Sequence, residues 1–241
     1  ALPPVPGLAD QPHLTNETVF DLEECPRHLL VLGGGPIGCE LAQAFRRLGS
    51  EVSVMDLGPI LPRDDPELVE VVRRRLVAEG VRLHEHVRVR GIEAGPTLVA
   101  TDSDRTVLRL EGSHLLVAAG RTPQVEGLGL EVAGIAADAK GIKVDARLRT
   151  TNARVFAIGD VAGGPQFTHV ASHHASIVIR NALFRLPARA DRAAVPHVTY
   201  TDPELAAVGL SEAEAQAQGV AHEVLRWSYA DNDRARAERA E

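Results

Sequence analysis

Leu29-Leu30-Val31-Leu32 runs straight into Gly33-Gly34-Gly35-Pro36-Ile37-Gly38-Cys39-Glu40, and the chain later returns through Glu51-Val52-Ser53-Val54-Met55-Asp56. Four apolar residues without a charge predict a buried parallel strand. Gly33, Gly35 and Gly38 follow at G-x-G-x-x-G spacing. Ile37, Leu41, Ala44, Phe45 and Leu48 recur at helical intervals, and Gly49 stands where a C-terminal cap belongs. A second strand then ends at Asp56, 23 residues after Gly33.

Each part has a physical task in holding a dinucleotide. Gly33 permits the tight turn out of the strand, Gly35 lets the backbone approach a pyrophosphate, and Gly38 lets the helix pack closely on the sheet. The first N–H groups of the helix and its dipole then face two phosphates. An acid at the tip of the next strand accepts hydrogen bonds from ribose hydroxyls and repels a 2′-phosphate. A glycine triplet alone also makes bland turns. Here strand, glycines, amphipathic helix, second strand and terminal acid occur in order, which points to a dinucleotide site.

Outward from this unit, 241 residues that are 44% hydrophobic suffice for one large domain or two. A net charge of −7 without long basic runs argues against nucleic acid as a partner. There is no apolar run of membrane-spanning length and no visible signal peptide. The two cysteines, Cys25 and Cys39, suit a reducing cytoplasm and exclude a disulfide framework. The chain opens on Ala1 without an initiator methionine and closes on a helix-favouring run, Arg234 to Glu241, without a stop signal. It is expected to be a piece of something longer.

Residues 1–27, proline-rich at Pro3, Pro4 and Pro6, read as an extended connector with a short helical turn near Thr15-Asn16-Glu17-Thr18. Asp65-Pro66-Glu67 opens a helix carrying Leu68, Val72 and Leu76 on one stripe and ending at Gly80. Val81 to Leu83 completes a β-α-β-α-β unit of a doubly wound sheet. From Val87 to Leu110, short alternating segments broken at Gly91, Gly95-Pro96 and Asp102-Ser103-Asp104 predict an antiparallel meander inserted as the crossover. Leu115 to Gly120 reads as another buried strand, followed by an exposed turn, Gly120-Arg121-Thr122-Pro123. Ligands of open α/β sheets bind at the carboxyl ends of strands, so this turn could face the same cofactor.

A second compact signature is Thr150-Thr151-Asn152-Ala153-Arg154-Val155-Phe156-Ala157-Ile158-Gly159-Asp160. It predicts a buried strand delivering an acid beside the helix that runs from about His169 to Leu186. Such an acid is placed to bond sugar or ribityl hydroxyls, or to cap the helix. Among other residues, His84 and His86 fall two apart on one expected strand face, a spacing that suits metal ligands, but without a third ligand no metal site is expected. His173 and His174 read as surface or interface residues. Arg73, Arg74 and Arg75 read as a solvated helix face.

Gly33 to Glu40, Ala118 to Gln124 and Thr150 to Asp160 together resemble three motifs of the flavoprotein pyridine nucleotide–disulfide oxidoreductases. Pro196 to Leu210 resembles the entry to that family's dimerisation domain. Phe167-Thr168-His169-Val170 and Asn232-Asp233-Arg234-Ala235 are most similar to its mercuric-reductase-like, dihydrolipoamide-dehydrogenase-like members. The resemblance implies an α/β fold. Its parts are a connector from the FAD domain (1–27), a Rossmann-like NAD(P)-binding domain with inserted meander (28–145), a returning FAD-domain segment (146–192) and the start of a truncated α+β dimerisation domain (193–241).

By the same resemblance Gly33, Gly34, Gly35, Pro36, Ile37 and Gly38 hold the NAD pyrophosphate, Asp56 the adenosine ribose, and Val89 the adenine. Ala119 and Gly120 approach the nicotinamide, with Arg121 fixing the turn. Glu40 lies near flavin and nicotinamide as the one candidate catalytic residue; otherwise it is an acid favouring the first helical turn. Gly159 and Asp160 hold the ribityl chain of FAD, and the Thr168 backbone meets the isoalloxazine edge. Where family members often have an acid and a glycine, this chain has His174 and Ala175. The family passes a hydride from NAD(P)H through FAD to a C-x-x-x-x-C disulfide. Cys25 and Cys39 lack that spacing and read as incidental thiols. The first FAD fingerprint and the C-terminal histidine–glutamate pair are also absent from this sequence. NADH is favoured over NADPH because Asp56-Leu57-Gly58-Pro59 stands where basic residues serve NADP, the first base being Arg63. The reading is therefore the NADH-binding portion of a homodimeric FAD-dependent oxidoreductase. Its alternatives are an FAD-dependent NADH oxidase or ferredoxin-reductase type without a redox disulfide, and a stand-alone NAD-binding module.

Overall fold

The computed structural model describes residues 2–102, 104–191 and 195–239. Ser103 of the expected turn, and Ala1, Ala240 and Glu241 at the chain ends, lie outside the described residues. The chain divides into two compact bodies, one made of Leu2–Gly120 with Val198–Glu241 and the other of Arg121–His197.

In the first body, β1 (His28–Leu32) leads into α1 (Pro36–Arg47) and β2 (Glu51–Met55), and α2 (Pro66–Ala78) leads into β3 (Val81–His84). The meander is β4 (Arg88–Glu93), β5 (Thr97–Thr101) and β6 (Val107–Glu111), and β7 (His114–Val117) returns to the main sheet. That sheet has the order β3-β2-β1-β7 with parallel pairing throughout; Leu30 stands opposite Ser53 on one side and Leu115 on the other. Central parallel strands bury both faces, and β1 shows what each face meets. Leu29 and Val31 join α1 and α2 in one core with Val52, Val54 and Leu116, whereas Leu30 and Leu32 join the meander residues Ile92, Leu98 and Ala100 in another. The period of two along a strand thus sorts helices to one face and the meander to the other.

The expected elements form, with corrections in which residues they bury. On α1 the buried residues are Gly38, Cys39, Ala42 and Gln43, while Leu41 and Phe45 only flank the core and Ala44 and Leu48 are exposed. Gly38, Cys39 and Ala42 take the contact face because the start of the helix lies close to the sheet, a Cβ at residue 38 having no room beside Gly33. On α2 the stripe is Val69, Val72 and Leu76; Leu68 is 46% exposed. Asp65 caps this helix through the Glu67 N–H, as its position before Pro66 predicts. Gly91 does not break the meander but lies inside β4 at a register shift. The opening segment is extended, with a 3₁₀ turn at Thr18–Asp21, yet it is docked rather than loose. Leu8 is buried in the meander core, and the Leu14 backbone bonds both Leu115 and Val117 along the edge of β7.

The second body contains a short hairpin of β8 (Ala137–Asp138) and β9 (Gly141–Ile142), then α3 (Thr168–Ala182). Ile135, Ile142, Ala157 and Ala162 form its core. The strand expected before Asp160 is not formed. Strand is a property of pairing, and this segment makes a single isolated bridge, Arg149 to Phe156, before a 3₁₀ turn at Gly159–Ala162. Helix α3 stops short of Leu186: Arg185 takes a left-handed φ of 53°, and the Asn181 amide bonds both the N–H and C=O of Ala188.

The chain then forms β10 (Pro196–Thr199) and β11 (Leu205–Val208), α4 (Glu212–Ala217) and α5 (Asp233–Glu238). Ser211 and Glu214 make a reciprocal capping box on α4, and Asn232 caps α5. Leu205 is buried in the helix-side core of the first body.

The tightest point in this packing yields a prediction. A Cβ at residue 38 would stand 1.9 Å from the Gly33 carbonyl oxygen. Gly38→Ala is expected to lose about 1–3 kcal/mol or more of stability, read as a lower urea midpoint of unfolding.

Candidate functional site

The glycine loop forms a cradle at the carboxyl end of β1. Gly33 turns with φ 115°, and a Cβ there would meet the Ala118 carbonyl oxygen at 2.6 Å. A Cβ on Gly34 would press on Ile60 at 2.9 Å. Gly35 differs: it is the N-cap of α1, and a Cβ on it meets nothing within 4 Å. Gly33 and Gly38 are therefore glycines for the protein's own packing, whereas Gly35 faces open space where the first N–H groups of α1 emerge without intrahelical partners. Pro36 occupies the first helical position, where its missing N–H costs nothing, and Ile37 follows it half-buried.

Asp56 stands beside this loop and is bonded to it. One carboxylate oxygen accepts the Gly34 N–H at 2.7 Å, the other accepts the Gly58 N–H at 2.8 Å, and the Asp56 N–H donates to the His84 carbonyl at 3.1 Å. Each carboxylate oxygen has two lone pairs, so both retain capacity for another donor. Beneath the loop, Glu85 accepts the Ile60 N–H at 2.7 Å and a two-pronged contact from Arg73, both prongs at 2.8 Å. The Arg73 guanidinium, above all, holds the Glu85 carboxyl below the usual carboxylate range, against the opposing effect of burial. Arg74 pairs with Glu70 and Arg75 with Glu79, so all three arginines of α2 are engaged in ion pairs.

Glu40 lies past the first turn of α1, so it is not an acid of the helix start. Its carboxylate accepts the Tyr200 N–H at 2.8 Å. Gln43, one turn on, bonds Asp202 twice: its carbonyl accepts the Asp202 N–H at 2.7 Å and its amide donates to the Asp202 C=O at 2.9 Å. Arg47 follows with its guanidinium between Glu79 and Asp202, each at 2.6 Å. Sequence reasoning missed Gln43, which is only 4% exposed. The signal was the i, i+3, i+7 spacing of three polar residues along one side of α1.

The remaining expected site residues fall on the meander and the loop after β7, and in the second body. Val89 lies in β4 opposite Ala100 and packs on the meander core. Ala119 and Gly120 are exposed, Gly120 with φ 108°. In the second body Arg121 donates to the Asp160 carboxylate at 2.8 Å and to the Gln166 carbonyl at 3.2 Å. Gly159 is buried with φ 66°, and Thr168 is the exposed first residue of α3. His173 is exposed as expected, but His174 is 6% exposed, and its Nδ1 accepts the Gly159 N–H at 3.2 Å. A surface assignment for His174 is overturned because its helical phase matches the buried Val170 and Ile177.

His84 and His86 do not share a strand face. The strand ends at His84, and His86 turns away with a left-handed φ of 56°. Burial, then the charges of Arg82 and His28, lowers the His84 pKa below its usual value, and its buried Nε2 has no hydrogen-bond partner. Both cysteines are free thiols. Burial first, and then the nearby Asp56, Glu40 and Glu85 charges, pushes the Cys39 thiol up to about 12, and it donates to the Gly34 carbonyl. Cys25 is exposed.

A family model described as pyridine nucleotide-disulphide oxidoreductase matches residues 1–175, and the dimerisation domain of the same family matches residues 195–241. The chain belongs to the pyridine nucleotide-disulphide oxidoreductase family. A mercuric reductase of Streptomyces lividans is 37% identical over 239 residues, covering 97% of this chain and 50% of that protein. A dihydrolipoyl dehydrogenase of Pseudomonas aeruginosa is 36% identical over 240 residues, covering 97% and 51%. Among solved structures, the HOCl-induced flavoprotein disulfide reductase RclA from Escherichia coli superposes with a TM-score of 0.87 at 32% identity, covering 99% of this chain and 55% of that one. The chain spans about half the length of the curated relatives it matches. The family's enzymes are flavoproteins that use pyridine nucleotides, so neither an NADH oxidase or ferredoxin-reductase type without a redox disulfide nor a stand-alone NAD-binding module is favoured. No helix among the described residues is long and apolar enough to cross a membrane.

Two outcomes follow from these environments. Because the folded Glu85 binds its proton less readily than the unfolded one, its contribution is present above the usual carboxylate pKa and is lost as pH falls through the lowered value. Glu85→Gln is therefore expected to cost about 1–2 kcal/mol near neutrality and progressively less below about pH 4, measured as urea midpoints across pH. In a thiol titration with an aromatic disulfide reagent, Cys25 is expected to react in the native protein and Cys39 only after denaturant is added.

Proposed function

We propose that the first body is the NADH-binding portion of an FAD-dependent disulfide oxidoreductase. The observation that carries this reading is the cradle at Gly35: open space at a helix N-terminus, with the Asp56 carboxylate bonded to the loop beside it. The N–H groups of Gly35, Ile37 and Gly38 would meet the pyrophosphate, with Gly33, Gly34 and Pro36 setting the loop that aims them. Asp56 would accept the adenosine ribose hydroxyls. Val89 would pack near the adenine, and the exposed Ala119 and Gly120 would leave room for the nicotinamide. A carboxylate at Asp56 disfavours a 2′-phosphate, and NADH is the cofactor chosen over NADPH on that ground.

In the second body the Asp160 carboxylate, oriented by Arg121, would accept ribityl hydroxyls of FAD, with the Gly159 turn and the Thr168 backbone completing that side. These residues fit a polyol: an acceptor beside a positive-φ turn, next to a helix start. FAD, when bound, supplies the carrier that takes a hydride from the nicotinamide and delivers two electrons to a disulfide. Glu40 would stand near the point of transfer. In the present structure its carboxylate is held by the Tyr200 N–H, which fixes its direction. The redox disulfide is not supplied by Cys25 and Cys39. The reading extends to a homodimer in a reducing cytoplasm, supported by the dimerisation-domain match and the free thiols.

Calorimetric titration tests the nucleotide assignment. NADH is expected to bind, NADPH about tenfold or more weakly, and FAD weakly or not at all to this chain, without turnover. Gly35→Val is expected to abolish NADH binding while leaving far-UV circular dichroism unchanged, since no protein atom occupies that space. Wild-type affinity in Gly35→Val would overturn the cradle assignment, and tight stoichiometric FAD would overturn the expectation that the flavin needs more chain.

A further inference from the structure

Asp160 is held by two bonds of its own and by a third at the residue before it. Arg121 takes its Oδ2 at 2.8 Å, the Gly163 N–H donates to its carbonyl at 3.1 Å, and the preceding Gly159 N–H donates to His174 Nδ1 at 3.2 Å. The last of these carries chemical information. A ring nitrogen that accepts from an N–H must carry a lone pair, so His174 in this arrangement is the neutral tautomer with its proton on Nε2. An imidazolium has no acceptor and would oppose the Gly159 N–H. Gly159 lies close against α3, with φ 66° and no room for a side chain, since a Cβ there would meet the Ala171 Cβ at 3.0 Å. The 3₁₀ turn that aims Asp160 is thus pinned to α3 by one buried histidine.

We infer that His174 is a positioning residue: through Gly159 it fixes the Asp160 carboxylate, and protonation of its ring releases that turn. This rests on the reading that Asp160 holds the flavin ribityl chain. Among the described residues, the titratable and charged groups near His174 include His173 on the same helix, with ring centroids 6.5 Å apart, and Asp160 with its partner Arg121 on the turn. On the segment packed against the next turn of α3, through Leu148 and Ile177, stand Asp145 and Arg149, paired with each other. The expected consequence is a hold on the flavin that weakens as pH falls through the histidine range.

Amide hydrogen exchange followed by NMR on this chain reads the turn directly. At about pH 8, Gly159 is expected to be protected in the wild type and in His174→Asn, whose amide oxygen stands near the Nδ1 position. In His174→Leu its protection factor is expected to fall about five- to tenfold, with the amides of β1 unchanged. Lowering the pH to about 5.5 should bring the wild type toward His174→Leu and leave His174→Asn flat. FAD retention by the full-length polypeptide should follow the same order. Unchanged Gly159 protection in His174→Leu overturns the inference. Should that variant fail to fold, a wild-type pH profile in His174→Asn overturns it instead. Asp160→Asn separates the two claims. If it retains FAD like the wild type, the ribityl assignment fails whatever the exchange shows. If it weakens FAD while His174→Leu does not, the assignment stands and the positioning role falls.

Discussion

A carbonyl oxygen lies 1.9 Å from where any side chain on residue 38 would begin. That close approach of α1 to the loop after β1 sets much of what the first body can do. It requires glycine at 38, and it selects Cys39 and Ala42 as the neighbouring contact residues. It leaves the helix N-terminus at the edge of the sheet, beside Gly35. The Gly34 N–H, turned aside by the same loop, goes to Asp56, so the acid at the tip of β2 and the glycines of the loop form one bonded unit. A buried backbone donor left unpaired would cost about 1–3 kcal/mol, which makes this carboxylate a structural part of the loop as well as the candidate for recognising ribose.

The sheet beneath is covered differently on its two faces. Helices on one side and a meander on the other are sorted by the alternation along β1, where Leu29 and Val31 meet α1 and α2 and Leu30 and Leu32 meet the meander. Slipping β1 by one residue would exchange the two sets and misplace both cores. Register is therefore fixed by burial on both sides, and the carboxyl ends of β1, β2 and β7 are brought level, where the loop, Asp56 and Gly120 stand.

The other side of α1 is polar and equally committed. Glu40, Gln43 and Arg47 engage Tyr200 and Asp202, tying the segment matched by the dimerisation domain to the helix whose start carries the glycine loop. Gln43, nearly buried, satisfies both backbone polar groups of one residue, Asp202, which is how a buried amide avoids an unpaired donor or acceptor. A helix held on one side by packing and on the other by paired polar groups has little freedom to shift its N-terminus.

The β-α-β unit, the caps at Asp65 and Gly49, the meander and the tight glycine loop at Gly33 to Gly38 were legible in the chain, because local periodicity and backbone-specific residues determine them. The strand before Asp160 was not, since a strand exists only where a partner pairs with it. Which residues of α1 and α2 turn inward was decided by how each helix lies on the sheet, so Gly38, Cys39 and Ala42 took the contact in place of Ala44 and Leu48, and Val69 in place of Leu68. Helical spacing marks the faces on which His174 and Gln43 lie, but it names no partner for either. Their partners, Gly159 at fifteen positions' separation and Asp202 at 159, are brought to them only by the folded chain. The sequence by itself determined where the backbone could turn and which faces were apolar; the tertiary structure decided which polar groups would be removed from water, and therefore which bonds they had to find.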